Sequence, residues 1–187
     1  MKRYIFLPFV AIILILAACS GGSNENEISK NNLKQKIKQM EDSISKIQSD
    51  PQTGGKLPTL TNIELINRLT AYYQAFPKDE YSADCLFKIH MKFGELNAHD
   101  KSVAYGDTLL SIFPNYKNKD FLLESMASAY DIYILPRDTS KVRHYYDLLL
   151  KDNHVTDSKK KDIRARLNHL NLTFDEYILQ LNSPVIQ

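Results

Sequence analysis

The residues that could do chemistry in this chain are few and scattered. There are two cysteines, Cys19 and Cys85, and five histidines, His90, His99, His144, His154 and His169. No two histidines have the HExxH spacing that would turn a pair of imidazoles towards one metal, and the cysteines form no CxxC unit. There is no GxSxG elbow and no phosphate-cradling glycine loop; Gly21-Gly22 and Gly54-Gly55 hold four of the six glycines. Asp79-Glu80 and Asp175-Glu176 stand where helices are expected to begin, and acids there interact favourably with the helix dipole. Lys88 and Lys92 fall one helical turn apart and could receive a carboxylate together, or form an ordinary solvated face. Cys85 sits inside a helical pattern, where a lone thiol behaves as a small apolar residue. The expectation is no catalytic residue, no metal, no cofactor and no enzymatic turnover.

Cys19 has a different setting. Lys2 and Arg3 precede an apolar run from Tyr4 to Leu16, and the small residues Ala17 and Ala18 follow. Charge, a short apolar core and small residues are the layout of a secretory signal. The run is short for a bilayer span, which takes roughly 20 residues. Leu16-Ala17-Ala18-Cys19 closely resembles the lipobox of bacterial lipoproteins. That resemblance implies that residues 1–18 are a signal peptide removed just before Cys19. It implies a diacylglycerol on the Cys19 thiol, with a further acyl chain such as palmitate on the new amine. Each buried methylene contributes about 0.8 kcal/mol, so two or three chains hold a protein firmly on a membrane. Ser20 stands where an Asp, in the lipoproteins of two-membrane bacteria, tends to retain the protein at the inner membrane. The outer membrane is therefore expected, with the facing side left open.

With Lys2 and Arg3 set aside, 22 basic residues face 22 acidic ones. A neutral chain gives no reason to expect a nucleic-acid partner. Behind Cys19, residues 19–27 are small and polar and read as a flexible tether. Residues 28–49 read as a heptad helix: from Leu33 the apolar residues fall at Leu33, Ile37, Met40, Ile44 and Ile47, stepping four, three, four, three. This is a heptad seam, with Ile37 and Ile44 at a. It is compatible with homo-oligomerisation through those five residues, with a stalk helix folded back on its own domain, or with a frayed spacer. Residues 50–60 carry two prolines and paired glycines and read as a linker. The compact domain is expected at 61–183, opened by a capping box at Thr61-Asn62-Ile63-Glu64.

That domain repeats. Phe76-Pro77 ends one helical pattern, and Phe113-Pro114 ends another 37 residues later. Self-similarity at this period marks a helical-repeat fold. The alignment puts Leu86 on Leu123, Ile89 on Met126 and Phe93 on Tyr130. After a two-residue insertion around Leu135-Pro136-Arg137, Leu109 falls on Leu148 and Leu110 on Leu149. Helix pairs are predicted at 82–94 with 99–112 and at 119–134 with 139–151. A final pair is predicted near 157–170 and 174–182. Helix 62–76 reads as the second half of a unit whose first half is missing.

At these positions the chain resembles the tetratricopeptide repeat (TPR) family, whose unit is about 34 residues. Ile89, Phe93, Ser102 and Pro114 occupy the family's Leu, Tyr, small and closing-Pro positions. The resemblance implies an all-α, TPR-like antiparallel helical-repeat solenoid, preceded by a short coiled-coil-like helix. Two positions depart from the family together: His90 stands where a small residue is usual and Gly106 where a bulky one is, so the imidazole is expected to use space vacated at Gly106. In the family, the first helix of each unit lines an inner binding face. The matching positions here are Asp84, Lys88, Met91, Lys92, Glu124, Ser125 and Ser128. The stretch Ala75-Phe76-Pro77 through Ser82-Ala83-Asp84-Cys85-Leu86-Phe87-Lys88-Ile89 resembles the repeats of two envelope families. One is the TPR lipoprotein of the outer-membrane β-barrel assembly machinery; the other is the periplasmic coiled-coil and TPR protein that works with the Tol–Pal system. The expected function is a lipid-anchored scaffold or adaptor for a protein partner in the cell envelope. The alternative is a structural spacer that associates through its heptads.

Overall fold

Amphipathic spacing and well-formed helix ends produce the fold. In a computed structural model, residues 22–52 and 54–183 are described, and among them there is no strand. Eight helices follow in order: α1 (Gly22–Ser49), α2 (Thr59–Ala75), α3 (Glu80–Glu95), α4 (His99–Ile112), α5 (Lys119–Ser128), α6 (Thr139–Leu150), α7 (Asp157–Asn168) and α8 (Phe174–Asn182). The predicted signal peptide and Cys19 lie outside the described residues. No described helix is long and apolar enough to cross a membrane.

The helix ends follow local chemistry. Asp79, Asp138 and Thr156 cap α3, α6 and α7 by accepting backbone N–H groups. Thr173 and Glu176 form a reciprocal capping box at α8. Such caps each contribute on the order of 1 kcal/mol. The two Phe-Pro endings take the same shape: Phe76 and Phe113 leave the helix with similar dihedrals, and each donates its N–H to the carbonyl four residues back. A residue before proline is driven out of the α region, so the sequence repeat becomes a repeat of conformation. The capping box expected at Thr61 does not form. The helix starts earlier, behind Pro58, and Glu64 instead accepts from Arg68 Nε at 2.7 Å.

Short connections pair α3 with α4 and α5 with α6 as helical hairpins; α7 packs on α6, and α8 follows with Phe174 and Tyr177 beneath the Arg166 guanidinium. Successive first helices then lie side by side in register. His90 meets Ser125, Glu124 meets Lys159 and Asp131 meets Arg166, each across 35 residues. Phe87 also meets the Phe121 ring, one turn before His90 and Ser125, so the partners advance together along the chain and α3, α5 and α7 run parallel.

The heptad stretch is the missing first half. Lys30 pairs with Asp79 at 2.5 Å and Glu41 with Lys88 at 2.5 Å, so α1 runs parallel to α3. Ile37 is 0% exposed and Ile44 is buried, in one apolar cluster with Leu65, Ile66, Leu69, Tyr72, Cys85 and Ile89. Leu33 and Met40 pack against that cluster, and Ile47 is half-buried. Of the readings open for the seam, the fold takes the fold-back one: α1 and α2 are the first helix pair. The helix also begins at Gly22, so most of the segment expected to be a loose tether is helical. Glu25 and Glu27 stand near its start, where the dipole favours them, and Asn31 donates to Glu27 one turn on.

The second core runs on through α3 to α7, built on Leu86, Leu109, Leu122, Leu123, Met126, Val142, Tyr145 and Leu149. The two-residue insertion is absorbed locally. After Ser128, α5 widens into a π turn over Ala129–Tyr133, closed by Ile134 N–H donating to Ala129 O at 2.9 Å.

Candidate functional site

α3 and α5 lie alongside each other and leave a groove of about 290 Å³ between them. His90, Met91, Gly94, Glu95, Asn97, His99, Ser102, Ser125, Ser128, Ala129 and Tyr133 line it. Three of the residues expected on a binding face, Met91, Ser125 and Ser128, meet here.

His90 forms the floor. Its Nδ1 lies 2.9 Å from the carbonyl oxygen of Ser102 on α4, and its Nε2 lies 3.0 Å from Ser125 Oγ on α5. A carbonyl can only accept, so Nδ1 carries the proton and Nε2 accepts from the Ser125 hydroxyl. Ser102 Oγ donates in turn to His90 O at 2.8 Å. The ring is 1% exposed. Burial lowers its pKa below the ordinary histidine value, and the Ser102 hydrogen bond opposes this only in part. The imidazole is therefore a neutral clasp between three helices. It does not fill the space beside Gly106, as the sequence suggested. A Cβ on Gly106 would sit 2.7 Å from Met126 Sδ, so the vacancy belongs to Met126.

One wall comes from residues that pattern reasoning did not single out. Asn97 takes a positive φ of 57° in the turn between α3 and α4. The His99 ring stacks on Tyr133 with centroids 4.4 Å apart and planes 9° from parallel. Tyr133 stays 57% exposed, beside Ile132 and Leu135 at 37% and 83%. The segment around the insertion thus exposes three apolar side chains, of which Tyr133 lines the groove. A buried charge cluster holds the segment: Asp131 accepts from Arg166 Nε at 2.7 Å, Arg166 Nη2 at 2.8 Å and Arg137 Nε at 2.8 Å. The signal in the sequence was the interruption at Leu135-Pro136-Arg137; its charge partner stands 35 residues on at Arg166.

The other expected binding residues are spread along the stack and already engaged. Lys88 meets Glu41, and Lys92 meets Glu95 at 2.7 Å, so a ligand carboxylate would have to displace an internal one. Asp84 accepts from Tyr116 Oη at 3.0 Å and from Lys117. Glu124 pairs with Lys159. Ser128 also hydrogen-bonds with Tyr146.

A larger hollow of about 770 Å³ lies where α3 begins, beside Lys30 and Lys34 of α1, and is lined also by Asp79, Tyr81, Asp84, Phe113 and Tyr116. Its charges are neutralised within the chain. Burial alone would raise the Asp79 pKa, but hydrogen bonds from Lys30 and Tyr72 hold it below the usual carboxylate range. The Lys34 ammonium lies 5.0 Å over the Tyr81 ring. Cys85 is buried, and burial pushes its thiol up to about 12, which removes it as a nucleophile. Among the described residues no group of three or more His, Cys, Asp or Glu could hold a metal ion. Comparison with protein-family models, curated proteins and solved structures finds no match for this chain.

Proposed function

We propose that this chain is a lipid-anchored scaffold or adaptor of the cell envelope, attached through Cys19 and binding a protein partner through its helical-repeat body. The observation that carries the reading is the α3–α5 groove. It is open, and the exposed Tyr133 ring forms part of its wall, on a segment that also exposes Ile132 and Leu135. Its floor is a rigid hydrogen-bonded node rather than a mobile side chain. Apolar edges beside fixed polar groups suit recognition of another polypeptide, where a few aromatic contacts carry most of the affinity. A stack of helix pairs that curves as a solenoid would extend that face along α1, α3, α5 and α7. Outer-membrane location follows from the same lipobox reading, with Ser20 after the cysteine.

The spacer alternative needs the heptad seam to pair with another copy. Ile37 and Ile44 would first have to leave their own core, so nothing in the packing favours it.

The test is photo-cross-linking in the native envelope, with the probe at Tyr133 or Met91 and a control at Ile63 on α2. A protein captured at the groove positions and not at the control supports the adaptor reading. Absence of any groove-specific adduct, where a known envelope complex is captured in parallel, overturns it.

A further inference from the structure

We propose that the end of the stack where α1, α3, α5 and α7 begin faces the lipid bilayer, and that the α3–α5 groove opens at the opposite end. This rests on the reading that Cys19 is lipidated.

Three observations lead there. First, α1 begins at Gly22, three residues after Cys19. Three fully extended residues reach at most ~11 Å, whatever their conformation. Second, α1 is not an independent stalk. Ile37 and Ile44 are buried in the first core, Lys30 pairs with Asp79, and Arg68 Nη1 donates to Lys36 O at 2.7 Å. The orientation of α1 is therefore the orientation of the body. Third, the parallel register puts the starts of all four first helices at one end, together with the loops at 76–79, 113–118 and 151–156.

Helix geometry sets the distances. From Gly22 to Lys30, where the body begins, α1 rises ~12 Å at 1.5 Å per residue. Residues 25–29 on that stretch are exposed on all sides, as a short standoff would be. The sixteen residues of α3 then separate the near loops from Asn97 and His99 by ~24 Å. The near rim is polar, with Lys78, Asn115, Lys117 and Lys151 exposed, and suits a headgroup zone without insertion. Tyr133 and Leu135 belong to the far end. The partner is then a segment that meets the adaptor tens of ångströms above the lipid surface, not one lying in the headgroups.

The test uses the full-length protein, purified from cells and reconstituted in phospholipid vesicles carrying a membrane-bound fluorescence acceptor. Donor dyes are placed singly through Asn115→Cys at the near end and Leu135→Cys at the far end. Cys85 is buried and stays unlabelled, and Lys78→Cys is a second near-end site should Asn115→Cys misfold. Transfer from the near-end dyes is expected to be several-fold stronger than from position 135. Equal transfer from both ends, as for a body lying flat, or the reverse order overturns the orientation. The N-terminal peptide is analysed by mass in parallel. A peptide without the lipid mass overturns the Cys19 reading and this inference with it; a lipidated peptide with equal or reversed transfer overturns the orientation alone.

Discussion

His90 on α3 reaches Ser125 on α5 with an Nε2–Oγ distance of 3.0 Å, so one neutral imidazole joins two units of the repeat. Its lowered pKa gives stability a pH dependence of known sign. Above the unfolded-state value of about 6.5, both states hold the ring neutral and the group has no effect. As pH falls through that value the unfolded chain takes up a proton that the folded ring refuses, and stability drops until the folded pKa is passed. The slope is at most about 1.4 kcal/mol per pH unit. Thermal melts at pH 7.5 and 5.0 should show a larger loss for the wild type than for His90→Gln, which keeps a polar group without the titration. Parallel losses in the two proteins would refute the assignment.

Gly106 makes a second checkable contact. A Cβ there meets Met126 Sδ at 2.7 Å, and Met126 is fully buried, so its side chain has little room to move away. Gly106→Ala should destabilise by about 1–3 kcal/mol by overpacking, and Gly106→Phe by more. In a Met126→Ala background the alanine penalty should vanish, or reverse by up to about 1 kcal/mol from helix propensity. Urea unfolding of the four proteins of this cycle gives the answer. Additive effects would mean that the two residues do not share the space.

Much of this fold was legible in the sequence because its signals are local. The spacing of Leu86, Ile89 and Phe93, the matched Phe-Pro endings and the box at Thr173 foretell α3 to α8 closely. α1 was harder. Over two heptads a period of 3.5 and one of 3.6 differ by only about 20° per heptad, so a seam that pairs with another chain looks like one that packs on its own domain. Thr61-Asn62-Ile63-Glu64 has the pattern of a capping box but lies inside a helix, where Arg68 claims the glutamate. Of the candidate site, the residues on α3 and α5 were readable from helix phase. Their partners were not: Ser102 to His90, Tyr133 to His99 and Arg166 to Asp131 are set by packing between segments far apart in sequence.

The place of α1 in the core can be measured directly. Ile37→Ala removes a side chain that is fully enclosed by α1, α2 and α3. It should cost about 2–5 kcal/mol. Lys38→Ala, one residue on and exposed, should cost almost nothing. Denaturation followed by circular dichroism would show it, with light scattering reporting the same mass for both variants and the wild type. A harmless Ile37→Ala, or a lower mass for that variant, would return the seam to self-association.

The insertion that shapes the groove depends on Asp131, whose carboxylate is shared by Arg166 and Arg137. Arg166 is 4% exposed, so Asp131→Ala leaves a guanidinium in the protein interior without its counter-charge. Breaking such a pair typically costs about 3–5 kcal/mol, most of it the penalty on the charge that remains. Asp131→Ala should therefore be more damaging than Asp131→Ala combined with Arg166→Met, which removes both buried charges. The π turn should loosen in the single variant, so Tyr133 should lose its stacking on His99 and the groove its wall. Hydrogen exchange over residues 129–138 reads this without knowledge of the partner. Faster exchange there in Asp131→Ala, substantially restored in the double variant, is the expected result. Unchanged exchange would show that Ala129–Tyr133 keeps its shape without Asp131, and that the groove owes its wall to the backbone alone.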